Sequence, residues 1–294
     1  MNEHKLIDGR IISAQIKEEI KQDTIKLKKE KNITPGLAFI LVGDNPASVS
    51  YVKSKGKTCE ELGFHSITNT LPETTSEKEV LDLIAKYNED KSIHGILVQL
   101  PLPKHFDEEK IIEAINYKKD VDGFHPINIG RLSIGAVCYI SCTPYGILEM
   151  VKRSKIETKG KNVVVIGRSN IVGKPVASLF IRKELSSTVT VCHSYTKNIK
   201  EHTLNADIII AAIGRPNFVT ADMIKEGCVI IDVGINRIPD TTKKSGSRLV
   251  GDVDFEGCLE KCSMITPVPG GVGLMTVVML MKNTLDSASG KIYA

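Results

Sequence analysis

Helical repeats and short apolar runs follow one another along the chain. From about Ile11 to Lys31 apolar residues return at helical spacing against a charged opposite face, which predicts an amphipathic helix. Gly36 to Val42, GLAFILV, is a continuous apolar run of strand length. Ala47 to Leu62 reads as a helix ended by Gly63, because glycine takes the left-handed turn after a helix at little cost. Phe64 to Leu71 reads as a strand and Ser76 to Asn88 as a helix opened by a Ser76/Glu79 capping box. Ile93 to Leu100 reads as a strand stopped by Pro101, and Asp107 to Ile115 as a short helix.

From Asp120 the periodicity fades. KDVDGFHPINIGRLSIGA is rich in Gly, Pro and Asn and reads as an irregular connection between domains. Thr143 and Pro144 then start a helix to about Arg153, with Thr143 as its N-cap. A second series follows: strand NVVVIG (162–167), helix GKPVASLFIRKE (173–184), and strands TVTVCHS (188–194), DIIIAAIG (207–214) and CVIIDVG (228–234). An apolar helix, Val272 to Ser287, has no strand after it and is expected to return to the first domain. This alternation predicts α/β architecture in two domains with mainly parallel sheets, the second doubly wound.

Composition narrows the class. In 294 residues, 41% are hydrophobic and 25% charged, enough to bury a sizeable core. A net charge of +4 is too small to argue for a nucleic-acid partner, and the Lys-rich stretch from Lys21 to Lys31 alternates with acids like a solvated helix face. Met1 to Arg10 lacks the apolar segment of a signal peptide. No apolar run approaches the roughly 20 residues needed to span a bilayer. The seven cysteines, odd in number and scattered, fit reduced thiols in a cytoplasmic protein. Cys138/Cys142 and Cys258/Cys262 share a three-residue gap but no histidine cluster, so a zinc site is the less favoured reading of them and no metal is expected.

Candidate chemistry lies at the ends of elements. The turn from Gly167 through Arg168 and Ser169 to Pro175 joins a buried strand to a helix, where glycines and free N–H groups can meet phosphate. It lacks the G-x-G-x-x-G pattern, so a tight turn without ligand stands beside the nucleotide site as a reading. No acid closes the strand TVTVCHS, while Arg168, Ser194 and Lys197 lie nearby; these groups suit a 2′-phosphate and favour NADP over NAD. Tyr51 and Lys55, four apart, share one helical face and suit a planar substrate and a proton relay. A solvated lysine beside an exposed tyrosine is the plain alternative. Gln99 closes an apolar strand where open α/β sheets place ligands. Asp122 is either an Asp-Gly turn residue or an acceptor for a pterin-like ring edge. The stretch from Pro267 to Gly273, with two prolines and three glycines ahead of a long helix, permits close approach to a ligand.

Together these motifs resemble the bifunctional methylenetetrahydrofolate dehydrogenase/cyclohydrolase family. The resemblance runs from about Leu6 to Leu285. It is carried by Tyr51-x-x-x-Lys55, VQLPLP (98–103), KDVDGFHPINIGRL (119–132), CTPYG (142–146), GRSNIVGKP (167–175), TVTVCHSYTKN (188–198), GRPNFV (214–219), IDVGINR (231–237), GDVDF (251–255) and PVPGGVGLMT (267–276). The resemblance implies that Lys55 is the catalytic lysine, that Tyr51 stacks on the folate, that Gln99 positions Lys55 and that Asp122 binds the pterin. It makes Val98 and Leu100, with Pro269, Gly270, Gly271 and Gly273, further substrate contacts. Gly167, Arg168, Ser169, Ser194 and Ile235 would contact NADP. Leu274 stands where the family usually has proline.

The implied organisation is a folate-site domain of residues 1–140 plus 271–294 and a Rossmann-like NADP domain of residues 141–270, with a cleft between them. The implied protein is a cytoplasmic homodimer acting on tetrahydrofolate derivatives. It would oxidise 5,10-methylenetetrahydrofolate with NADP and hydrolyse the methenyl product to 10-formyltetrahydrofolate. Three alternatives stay open on sequence: another NADP-linked dehydrogenase on this fold, a nucleotide sensor without catalysis, and a family member lacking the cyclohydrolase.

Overall fold

The computed structural model describes residues 3–243 and 246–293. The chain divides into two compact units, Gln15–Cys142 with Val277–Ala294, and Met1–Ala14 with Thr143–Thr276.

The first unit holds most of α1 (Gly9–Lys31), then β1 (Gly36–Val42), α2 (Pro46–Glu61), β2 (His65–Leu71), α3 (Glu77–Glu89), β3 (Gly95–Val98), α4 (Glu108–Ala114) and α5 (Pro126–Ser133). Its three strands are parallel in the order β2-β1-β3. The central strand β1 is buried at all seven positions, which is why its sequence is a continuous apolar run rather than an alternating one. Val80 and Ile84 of α3 share one buried core with Ile40 of β1 and Ile96 of β3. Each such side chain contributes about 1.5–3 kcal/mol of burial. The Ser76/Glu79 capping box forms at the start of α3.

The second unit contains α6 (Cys142–Arg153), β4 (Asn162–Ile166), α7 (Gly173–Phe180), β5 (Thr188–Cys192), α8 (Ile199–Leu204), β6 (Ile208–Ala211), β7 (Val229–Asp232), β8 (Asn236–Pro239), β9 (Ser247–Val250), α9 (Phe255–Leu259) and β10 (Met264–Ile265). Five strands form a parallel sheet in the order β10-β7-β6-β4-β5. The chain leaves β4 for one neighbour, β5, and then returns to the other, β6. The carboxyl end of β4 is therefore a switch point, the place where such sheets accept nucleotides. The last helix, α10 (Val272–Ala288), begins in this unit and joins the first from Val277 on. There Asn283 Nδ2 donates to the Val121 and Ile140 carbonyls at 2.8 and 2.9 Å, and Ser287 Oγ to that of His94 at 2.6 Å.

Some details differ from the sequence expectations. The described N-terminal residues up to Ala14 group with the second unit because Leu6 bridges Ile265 and the Ile7 N–H donates to the Ile265 carbonyl at 2.9 Å. The stretch expected to be irregular contains α5, started by His125, whose side chain accepts from the Ile127 N–H, and by Pro126 in the first turn. The β8–β9 hairpin is antiparallel and stands apart from the main sheet. Helix α6 begins at Cys142, and Thr143 Oγ1 pairs with Thr276 Oγ1 at 2.9 Å instead of capping. Among the described residues no helix is long and apolar enough to cross a membrane.

Candidate active site

In the first unit, α2 is opened by Asn45, whose side chain accepts from the Ala47 and Ser48 N–H groups, with Pro46 at its first position. The helix places Tyr51 and Lys55 on one face, with Lys55 Nζ 4.5 Å from the Tyr51 ring centroid. Lys55 is only 4% exposed, which removes the reading of it as a solvated surface lysine. Gln99 continues the sheet by donating its backbone N–H to Ile40. Its side-chain Nε2 donates to the Leu100 carbonyl at 2.6 Å, which turns Oε1 toward Lys55; Nζ donates to that oxygen at 3.0 Å. The Leu100–Pro101 bond that follows is cis. Val98 is buried and Leu100 partly buried beside this group.

Burial lowers the Lys55 pKa, and the negative charge of Asp122 is the foremost influence opposing that shift. Burial likewise raises the Asp122 carboxyl, opposed first by Lys55 and then by a hydrogen bond from Cys142. The two groups are thus pressed toward their neutral forms while their mutual attraction resists. The Cys142 thiol, pushed well up by burial, stays protonated and also lies 3.5 Å from the Val121 carbonyl. Asp120 has a different role. It is buried, with its carboxyl pushed up to about 7 by that burial, and accepts from the Phe124 and His125 N–H groups and from Asn128 Nδ2. Asn128 Oδ1 accepts in turn from Tyr293 at 2.5 Å. Asp120 therefore shapes the segment that presents Asp122. Sequence reasoning assigned Cys142 no role beside Asp122, naming it only in the Cys138/Cys142 pair and the CTPYG motif, and it missed this bracing network.

In the second unit, Gly167 ends β4 with φ +126°, and a Cβ there would lie 2.2 Å from the Ala212 carbonyl oxygen. A Cβ on Gly173 would lie 2.3 Å from the Gly167 oxygen. Both glycines are needed for the close passage of strand, turn and α7. Ser169 Oγ accepts from the N–H groups of Val172 and Gly173 at 3.1 and 3.3 Å, so it already occupies part of the helix start. Gly167, Arg168, Ser169, His193 and Ser194 line a cavity of about 320 Å³ at the carboxyl ends of β4 and β5, with Arg215 from the loop after β6. No carboxylate lines it among the described residues, and Arg168 lies over the Tyr195 ring at 5.8 Å. A glycine turn, hydroxyls and uncompensated guanidinium groups fit a nucleotide bearing phosphates. Sequence reasoning missed Arg215, and Lys197 does not line the cavity.

Ile235 is not part of that cavity. It lines a separate one of about 170 Å³ with Pro269, Gly270, Gly271, Gly273 and Leu274, and a Cβ on Gly273 would come 3.0 Å from its Cδ1. The expected substrate residues are thus distributed over both units, Tyr51, Lys55, Val98–Leu100 and Asp122 in the first and Pro269–Gly273 in the second. Two buried carboxylates support the second unit's loops. Asp252 accepts from the Ile213, Gly214 and Arg215 N–H groups and from Asn236. Asp232 accepts from those of Gly234, Asp252 and Val253, and burial pushes its carboxyl up to about 6.

Residues 7–122 match the family model described as tetrahydrofolate dehydrogenase/cyclohydrolase, catalytic domain, and residues 141–292 the one described as its NAD(P)-binding domain. The chain is 56% identical over 286 residues to the bifunctional protein FolD of Chlorobium phaeobacteroides, covering 96% of each. The crystal structure of the bifunctional enzyme FolD from Campylobacter jejuni is 50% identical, with a TM-score of 0.92 over 97% of this chain and 99% of that one. The Trypanosoma brucei methylenetetrahydrofolate dehydrogenase-cyclohydrolase, solved with NADP and an inhibitor, is 37% identical, with a TM-score of 0.92 over 98% of each chain.

Proposed function

The chain belongs to the tetrahydrofolate dehydrogenase/cyclohydrolase family, and from that premise we propose how its own residues carry out the two reactions. It oxidises 5,10-methylenetetrahydrofolate to the methenyl form with NADP and hydrolyses that product to 10-formyltetrahydrofolate. When bound, NADP supplies the hydride acceptor, and the protein supplies orientation and electrostatics. The Gly167–Ser169 turn takes the pyrophosphate, and Arg168 with Ser194 takes the 2′-phosphate. Ile235 and the Pro269–Gly273 loop line the reacting end.

The observation that carries the account is the buried Lys55, held by Gln99 and depressed in pKa. A neutral amine can accept a proton from the water that attacks the methenyl carbon; an ammonium cannot. The methenyl cation itself disfavours a charged neighbour and presses Lys55 further toward neutrality. Gln99 fixes the direction of Nζ, Tyr51 stacks on the folate ring, and Asp122 accepts from the pterin edge. The folate-side domain comprises the part of residues 1–140 that follows Ala14, together with the last helix, and the NADP domain residues 141–270 with the N-terminal segment that joins them. The protein works as a cytoplasmic homodimer, with no nucleic-acid partner.

Lys55→Met tests the assignment. It removes the titrating group while keeping an unbranched chain in the buried slot. Hydrolysis of methenyltetrahydrofolate by the purified variant should fall to the uncatalysed rate while NADP still binds. Wild-type hydrolysis by that variant would remove Lys55 from the mechanism.

A further inference from the structure

The nucleotide cavity holds two arginines, and the resemblance accounts for one. Arg168 follows β4 and leans to the β5 side, over Tyr195. Arg215 follows β6, the neighbour of β4 on the opposite side, and lies over the Phe218 ring at 4.8 Å. Arg215 has no carboxylate partner among the described residues, and none lines the cavity. Its backbone is fixed, since the buried Asp252 accepts the N–H groups of Ile213, Gly214 and Arg215 at 2.7, 2.9 and 2.8 Å. The loop thus holds a free guanidinium at a set place over the switch point.

We propose that Arg215 is a binding residue for the pyrophosphate of the nucleotide, with a role distinct from that of Arg168. This deepens the cofactor reading given above and rests on it. Two observations separate the roles. In a doubly wound sheet the adenosine ribose lies at the end of the second strand, here β5, and the pyrophosphate over the first strand-to-helix turn, here β4 to α7. Arg215 borders the turn from the side away from β5, so the pyrophosphate is the phosphate nearer to it. The helix start that usually serves a pyrophosphate is also partly used: Ser169 Oγ takes the Val172 and Gly173 N–H groups. A guanidinium, with its planar fork of donors, replaces that lost anion-holding capacity.

The two arginines should then separate in a binding experiment on the purified full chain, titrated with NADP and with NAD in the absence of folate. Arg215→Ala should weaken both nucleotides by the same factor, about tenfold or more for a lost charge-assisted contact. Arg168→Ala should weaken NADP alone. Arg215→Lys should recover part of the loss, because the point charge remains while the fork does not. Affinities within about twofold of wild type in Arg215→Ala, or a loss confined to NADP, would overturn the assignment. Wild-type protein that binds neither nucleotide would instead sink the cofactor reading on which it stands.

Discussion

At Asp122 the two readings left by sequence give opposite expectations. A turn residue before Gly123 tolerates asparagine, which is also favoured in turns. An acceptor for the pterin edge does not, because the amide would set donor against donor and leave substrate N–H groups unpaired at about 1–3 kcal/mol. Asp122→Asn should therefore weaken a folate analogue and leave NADP unchanged in parallel titrations. The same variant has a second signature. Asp122 is the foremost group opposing the fall of the Lys55 pKa, so its removal lets that pKa fall further. The rising limb of the cyclohydrolase pH profile, which follows deprotonation of Lys55, should move to lower pH. A limb that stays in place would break the link between the two side chains. Sequence spacing could pair Tyr51 with Lys55, since helical geometry is local. It could not show that Lys55 is buried, nor that Cys142 and Asn128 support the Asp120–Asp122 segment, because those contacts depend on how an irregular segment folds back on itself and follow no helix or strand period.

Among elements, glycines show how context sets the sign of one substitution. Gly167 follows β4 at positive φ, with a Cβ position 2.2 Å from the Ala212 carbonyl oxygen just after β6. Gly56 sits inside α2, where a Cβ would meet nothing within 4 Å. Gly56→Ala should stabilise the fold by about 0.5–1 kcal/mol, the usual helix gain. Gly167→Ala should destabilise it by at least 1–2 kcal/mol, roughly the cost of the left-handed backbone alone, and impair NADP binding. Urea unfolding of both variants checks the pair, and equal shifts would contradict it. Periodicity identified the long elements because each has one buried face. It missed α5, although His125-Pro126 is a start signal and Asn128 and Leu132 give it a buried edge. The β8–β9 hairpin escaped because its strands are four residues each and none of their positions is fully buried, so no apolar run marks them.

At the scale of the whole molecule, strand and helix alternation was enough for two α/β units with parallel sheets, since crossover helices leave few other arrangements. Motif order then carried the family. The unit boundaries were less legible: Leu6 and Ile7 join the second unit through Ile265, a pairing across more than 250 positions that no local pattern records. A single chain carries out oxidation and hydrolysis in sequence. Purified protein given 5,10-methylenetetrahydrofolate and NADP should form NADPH and 10-formyltetrahydrofolate together, with NADP used in preference to NAD. Absence of NADPH, or methenyltetrahydrofolate that accumulates and hydrolyses no faster than it does without protein, would contradict it.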